Sequence, residues 1–436
     1  MSGNGLRFDT LKVRAGYDPA EHNHAVQVPI YQTASYELGD TARAERLLGF
    51  EEHGFLYSRV TNPTVTALEQ RVAALDGASG AIALASGMAA VSYSLLNVTN
   101  GSGRILTVPN LYGGTIDAFA KILPTFGVSV DHADDVTDPS SFASQIREDT
   151  KAIFIETVTN PNAVVADVEG IAEVAHAHWI PLIVDNTFAT PYLFRPFDHG
   201  ADVVVYSATK GLSGNGSTIA GLILESGRFD WANGRFPQFT EPVYVLRERG
   251  SGVERSFVQA APDFPFTVRV RFNYLAYLGA ALGPQDAYLV LLGLETLSER
   301  VAKQVASTER IVQFLQTHPD VTWVRHPSAQ GSPSAPLAAK YLPRGAGTVL
   351  SFGVRGSVEA AHRVIDATNL LSYQANVGDA RSLIINSART THGELRPDEQ
   401  EVAGIAAETI RLSIGLEDPD DLIADLDQAI QKGVSG

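Results

Sequence analysis

The chain has 436 residues, 44% of them apolar and 19% charged, a globular balance that excludes a disordered or fibrous chain and gives room for more than one domain. Its 33 Lys and Arg against 49 Asp and Glu leave a formal charge of -16 with no basic run, so nothing would neutralise a phosphodiester backbone and no nucleic-acid partner is expected. The absence of cysteine removes disulfides, thiolate metal sites and a cysteine nucleophile together, and suits a reducing compartment.

Met1–Asp9 is polar, without the apolar stretch of a secretory signal. The small-residue run Ala81–Val98 is broken by Ser86, Gly87, Ser92 and Ser94, so no membrane span is expected and the reading is a cytoplasmic protein. Residues 1–65 are rich in polar, glycine and aromatic residues with no sustained period, and read as an N-terminal arm. The apolar runs Ala81–Ala85, Arg104–Val108, Ala152–Ile155, Pro181–Val184 and Asp202–Tyr206 read as strands covered on both faces. With helix-length segments such as Ile171–His178 between them, they predict an α/β domain with a mainly parallel sheet over 66–286.

Trp231–Phe266 loses period and gathers Pro, Gly and aromatic residues, a long excursion from that domain. Beyond Gly283-Pro284, the helical spacing of Leu291, Leu294, Leu297 and Val301 predicts one long helix over Ala287–Leu315, where the domain change is placed. The remainder, 287–436, mixes strands at Val349–Val354, Ser382–Ile385 and Thr409–Ile414 with helices. It ends in Asp421–Lys432, whose Leu422, Leu426 and Ile430 share one face. This is a smaller α+β C-terminal domain.

Pro181–Val184 delivers Asp185 at its carboxyl end, and Asp202–Tyr206 delivers Ser207-Ala208-Thr209-Lys210 at another. Ligands of open α/β sheets collect beyond such ends. Taken singly, Asp185 reads as a helix cap and Lys210 as a surface lysine. Together they match an aldehyde cofactor with a basic ring nitrogen: the lysine forms a Schiff base and the acid keeps the ring protonated as an electron sink. Ser207, Thr209 and the turn Gly211, Gly214, Gly216 are small hydrogen-bonding groups that can surround a phosphate.

Ser86-Gly87-Met88 opens an Ala-rich helix whose first amides are a second anion site, although a plain N-cap explains Ser86 equally well. The glycine turn does not spell a Walker loop, so no nucleotide site is expected. Tyr112, within Pro109–Gly114, either lies flat on a pyridine ring or packs in the core. Arg411, inside Ile410-Arg411-Leu412-Ser413, is costly in an apolar strand unless a substrate carboxylate or an internal salt bridge pairs it. Tyr57-Ser58-Arg59 is a further signal in the arm. His22 and His24, like His176 and His178, have a spacing that completes no metal motif, and no metal is expected.

Tyr57-Ser58-Arg59, Ser86-Gly87-Met88, Leu111-Tyr112-Gly113, Glu156-Thr157 with Asn160-Pro161, Val184-Asp185-Asn186-Thr187 and Tyr206-Ser207-Ala208-Thr209-Lys210 follow one another in a familiar order. Over nearly the whole chain they resemble the Cys/Met-metabolism family of pyridoxal-5'-phosphate (PLP) enzymes, and within it the O-acetylhomoserine sulfhydrylases. The resemblance implies fold type I of the PLP-dependent transferases, with a mixed, mostly parallel sheet in the large domain. It also implies a homotetramer, a dimer of dimers whose arms enter the neighbouring subunits' sites.

By the same resemblance Lys210 is the Schiff-base lysine and proton shuttle, Asp185 holds the pyridine nitrogen and Tyr112 stacks on the ring. Gly87, Met88, Ser207 and Thr209 bind the cofactor phosphate with Ser86 beside them, joined by Tyr57 and Arg59 from the neighbouring subunit. Asn160 lies near the phenolic oxygen, and Arg411 grips the substrate carboxylate, with Tyr57 and Asn376 also on the substrate. The implied reaction is γ-replacement: O-acetyl-L-homoserine plus sulfide or methanethiol gives homocysteine or methionine plus acetate. Alternatives on the same scaffold are a cystathionine γ-synthase, a cystathionine γ-lyase or a methionine γ-lyase. A non-catalytic PLP-binding scaffold is the reading from another class.

Ala375-Asn376-Val377-Gly378-Asp379 resembles the sulfhydrylase pattern where the lyases and cystathionine synthases have Ser-Leu-Gly, and Gly114 stands where methionine γ-lyases carry cysteine. Asn386–His392 departs from the usual His-Pro-Ala-Ser-Thr-Thr-His, and Gly211–Gly216 from Tyr-x-x-Gly-His-Gly. Both segments are expected near the substrate. Arg389 is expected to face the surface or an interface, which leaves the acetyl ester preferred.

Overall fold

The apolar runs become strands of one sheet. The computed structural model describes residues 5–49, 51–247 and 251–435. In it β1 (Gly80–Leu84), β2 (Arg104–Thr107), β3 (Ser129–His132), β4 (Thr150–Glu156), β5 (Leu182–Asp185), β6 (Val203–Ser207) and β7 (Gly221–Glu225) form a 7-stranded sheet in the order β1-β7-β6-β5-β4-β2-β3. From β6 to β3 neighbours pair parallel, while β7 is antiparallel to both β1 and β6. The carboxyl ends of β1, β2, β4, β5 and β6 therefore open on the same edge. Ile82, Leu84, Ile153, Ile183 and Val203 are completely buried, as strands covered on both faces require.

β3 and β7 add to the strands expected from sequence. β3 is a partly exposed edge strand, Ser-Val-Asp-His, with no apolar run to find. β7 is fully buried, and its short apolar run follows closely on the glycine-rich turn after Lys210.

The second sheet holds β8 (Val321–Arg325), β9 (Val349–Val354), β10 (Ser372–Tyr373), β11 (Leu383–Asn386) and β12 (Ile410–Ser413) in the order β10-β11-β12-β9-β8. The helices Val358–Ala367 and Pro419–Ser435 pack together beside it. At Gly433 a Cβ would lie 2.7 Å from Val364 N, so glycine lets the two helix backbones touch.

The single helix expected over Ala287–Leu315 is two, Pro284–Leu294 and Leu297–Thr317. Thr296 leaves helical geometry between them, and the buried Arg300 takes the freed carbonyl of Gly293 at 2.7 Å. Periodicity could not show this break, because its apolar stripe continues through it. Leu297, Val301 and Val305 of the second helix enter the core of the larger sheet, whereas Ile311, Val312 and Leu315 enter that of the smaller one.

The excursion Trp231–Phe266, of which residues 248–250 lie outside the described residues, is packed at both ends by one buried acid. Glu225 accepts hydrogen bonds from Trp231 Nε1 at 2.9 Å and from the amides of Phe266 and Thr267 at 3.1 and 2.9 Å. In the arm, the buried Lys12 of the helix Phe8–Arg14 reaches Ser298 Oγ at 2.6 Å. The helix Pro63–Asp76 already belongs to the packing around β1. Among the described residues no helix is long and apolar enough to cross a membrane.

Candidate active site

Close backbone approach builds one corner of the site. A Cβ on Gly221 would lie 2.0 Å from Ser86 O, and one on Gly87 would lie 2.6 Å from Ser207 Cβ. Only glycine allows β7 and the first turn of the helix Gly87–Thr99 to close on the end of β6. Ser86 Oγ accepts from Ala89 N at 3.1 Å, a true N-cap that leaves the earlier amides of the helix turned outward. Thr187 Oγ1 accepts from Ser207 N at 2.8 Å, and Thr209 Oγ1 from Ala220 N at 3.0 Å, so the hydroxyls lock the strand ends in place.

Ser86, Gly87, Met88, Tyr112, Asn160, Asp185, Ser207, Thr209, Lys210, Asn376 and Arg411 line one cavity of about 250 Å³. Tyr57 and Arg59 do not. Both are exposed on the arm, with the Arg59 guanidinium 5.2 Å from the Tyr57 ring centroid. The cavity is also lined by Thr115, Glu156, Thr187, Phe188, Ile219 and Thr391, which the sequence reading gave no role. Four of these carried a signal: Glu156 and Thr187 stand in the quoted motifs Glu156-Thr157 and Val184-Asp185-Asn186-Thr187, Thr391 lies in the segment Asn386–His392, and Thr115 follows Tyr112 by less than one helical turn.

Lys210 Nζ donates to Asn376 Oδ1 at 2.6 Å. Burial, and secondarily the Arg411 guanidinium, bring its amine down to about 8, so an appreciable share is neutral near physiological pH. Asp185 opens onto the cavity from the end of β5, where burial raises its carboxyl to about 6 against the hydrogen bond from Thr187 N at 2.9 Å. Arg411 is buried in β12; Nη1 donates to Asn160 Oδ1 and Nη2 to Asn376 O, both at 3.1 Å. Among the described residues no carboxylate pairs it, so the internal salt bridge considered from sequence does not form there. Its Nε, like Thr115 Oγ1, is buried without a partner.

The departing segments are largely turned to other tasks. Asn386 Nδ2 donates to Ala407 O at 2.9 Å while its Oδ1 accepts from Arg389 N at 2.8 Å, which closes a turn. Arg389 is exposed, and of this segment Thr391 reaches the cavity. Gly211–Gly216 faces Arg300, whose guanidinium donates to Gly211 O at 3.0 Å and Leu212 O at 3.3 Å. Of the two segments, Thr391 lines the cavity, while Asn386 closes its turn and Gly211–Gly216 lies against Arg300.

The family model of the Cys/Met metabolism PLP-dependent enzymes matches residues 9–431. The chain belongs to that family. It is 41% identical to O-acetyl-L-homoserine sulfhydrylase 1 of Thermus thermophilus over 98% of this chain and 100% of that one. It is likewise 41% identical to a homocysteine synthase of Schizosaccharomyces pombe, over 97% and 98%. A Campylobacter jejuni structure, assigned as an O-acetylhomoserine (thiol)-lyase and holding N'-pyridoxyl-lysine-5'-monophosphate, superposes with a TM-score of 0.92 at 38% identity, covering 98% of this chain and 100% of that chain.

The cofactor of this PLP family fits the residues present. The glycine-only contact of Gly87 with Ser207 leaves a recess for a phosphate at a helix start, and an amine and an acid stand in the same cavity. The unpartnered Arg411 Nε adds a donor facing no protein acceptor.

Proposed function

We propose that this PLP enzyme exchanges the acetate of O-acetyl-L-homoserine for sulfide or methanethiol, giving homocysteine or methionine. The observation that carries the reading is Arg411, a buried guanidinium that no carboxylate pairs among the described residues, in the cavity that also holds Lys210 and Asp185. The names of the full-length relatives support the acyl ester and the product.

When bound, PLP supplies an electron sink for negative charge developed beside the amino group. Arg411 pairs the substrate α-carboxylate and orients the Cα–H bond towards Lys210. Lys210 Nζ takes that proton and returns it, and Asn376 Oδ1 holds the amine between transfers. Asp185 would keep the pyridine nitrogen of the cofactor protonated, and Tyr112 would pack against its ring. Gly87, Met88, Ser207 and Thr209, with Ser86, would hold the phosphate, while Asn160 would serve the phenolic oxygen. Overall, a Cγ–O bond is exchanged for a Cγ–S bond and acetate departs with the electron pair.

Lys210 and Arg411 are the cations lining the cavity from this chain, and each is already assigned elsewhere. The phosphate therefore calls for a further cation, and Arg59, exposed on the arm with Tyr57, suits a site shared between subunits of a homotetramer. The division into arm 1–65, PLP domain 66–286 and C-terminal domain 287–436, and a cytoplasmic location, belong to the same reading. Purified protein incubated with O-acetyl-, O-succinyl- and O-phosphohomoserine, each with sulfide, methanethiol or cysteine, tests it. Homocysteine from the acetyl ester and sulfide is expected; elimination regardless of thiol would assign a lyase instead.

A further inference from the structure

Glu156 is a buried acid that the mechanism leaves unused. It ends β4, where its Cα is the register partner of Asp185 at the end of β5, so two carboxyl groups emerge side by side from adjacent parallel strands. Only 5% of Glu156 is exposed. Burial raises its carboxyl well above the usual range, and the neighbouring Asp185 charge raises it further, so the position is a costly one for an acid. Among the described residues no cation offsets that cost; the backbone N–H groups of Tyr112 and Asn160 act against it.

What the carboxyl does touch are the two cavity loops. Oε1 accepts from the backbone N–H of Tyr112 at 2.6 Å, and Oε2 accepts from that of Asn160 at 3.0 Å. Tyr112 closes the loop beyond β2, immediately before the helix Gly113–Asp117, and lines the cavity. Asn160 follows β4, and its Oδ1 receives Arg411 Nη1 from the other sheet at 3.1 Å. One carboxyl group thereby joins the aromatic wall to the guanidinium.

We infer that Glu156 is a positioning residue of the active site, whose two oxygens set the Tyr112 ring and, through Asn160, the Arg411 guanidinium in register with Asp185. This rests on the cofactor and substrate roles given above to Tyr112 and Arg411. A plain loop staple would need neither a carboxyl beside another carboxyl nor both oxygens on cavity-lining residues; a residue that must fix two cavity walls from one point needs both.

Glu156→Gln is nearly isosteric but puts an NH₂ against one of the two N–H donors, so one wall is released. With cofactor bound, the visible-region circular dichroism of the PLP band should fall by half or more, since ring asymmetry depends on its walls. The KM for O-acetylhomoserine should rise at least tenfold, more than kcat falls. Asn160→Ala should also raise KM, and the double variant should do little worse than Asn160→Ala alone, because both act on Arg411 through one connection. Glu156→Asp, one methylene shorter, carries the same readouts if the Gln variant does not fold, with an intermediate loss expected.

A lowered melting temperature with unchanged circular dichroism and KM would overturn the inference, as would fully additive KM losses. The dichroism needs bound cofactor but no turnover, so it still decides the Tyr112 half of the argument if the wild-type protein proves inactive on O-acetylhomoserine.

Discussion

Lys210 Nζ and Asn376 Oδ1 meet at 2.6 Å across 166 positions of sequence, the amine from the end of β6 and the amide from the loop between β10 and β11. That loop is pressed onto the lysine backbone: a Cβ on Gly378 would lie 2.7 Å from Gly211 N, and Gly378 itself has φ of +67°. Lys210→Ala should abolish turnover and borohydride labelling of the holoenzyme while the fold persists. Asn376→Ala keeps the label but leaves the amine unoriented, and kcat should fall about tenfold, the order expected for one hydrogen bond. Labelling of another lysine would reassign the site.

The amine also sets a pH dependence. Its folded value near 8 lies below the 10.5 of free lysine, chiefly through burial and then through Arg411, so the neutral form grows as pH rises through about 8. The rate at which apoprotein captures PLP should climb from pH 7 to 9 and then level. In Arg411→Met the rise should shift to higher pH. A rate that is flat over this interval would count against a neutral Lys210 as the reacting group.

Arg59 is exposed on the arm and outside the cavity of its own chain. Mixing Arg59→Ala protein with Lys210→Ala protein should restore about a quarter of wild-type activity, because half of randomly mixed dimers hold one intact site of two. No recovery after demonstrated subunit exchange would mean that sites are not shared.

Arg389 is exposed, and only its backbone N–H is spent on the turn that Asn386 closes. Arg389→Ala should leave the order of kcat/KM among acetyl, succinyl and phosphoryl esters unchanged, with the acetyl ester first. A native preference for an anionic ester that disappears in the variant would make Arg389 a specificity residue.

Beneath Asp185, Tyr206 Oη donates to Asp76 Oδ2 at 2.6 Å and accepts from Asn186 Nδ2 at 2.8 Å, while Asp76 Oδ1 is buried without a partner. Tyr206→Phe strands both neighbours, and should cost about 2 kcal/mol of stability by denaturant unfolding, the penalty for buried polar groups left unsatisfied. A loss under about 0.5 kcal/mol would show that the network relaxes around the missing hydroxyl.

Properties that run along the chain were legible in the sequence. Continuous apolar runs marked β1, β2, β4, β5 and β6, since strands covered on both faces need apolar side chains throughout. Asp185 and Lys210 could be placed at strand ends because each follows such a run directly, and the order of motifs carried the family. Tertiary structure alone decided the rest. It split the helix at Thr296, where an unbroken apolar stripe conceals a cap made by Arg300, and it supplied β3 as a polar edge that one neighbour suffices to hold. It also brought Asn376 to Lys210, Asn160 to Arg411 and Glu156 to Tyr112, and turned Asn386 and Arg389 away from the cavity. These pairings depend on which strand ends share an edge and how closely the second sheet's loops approach it, and distance in space of that kind has no counterpart in the local pattern of residues.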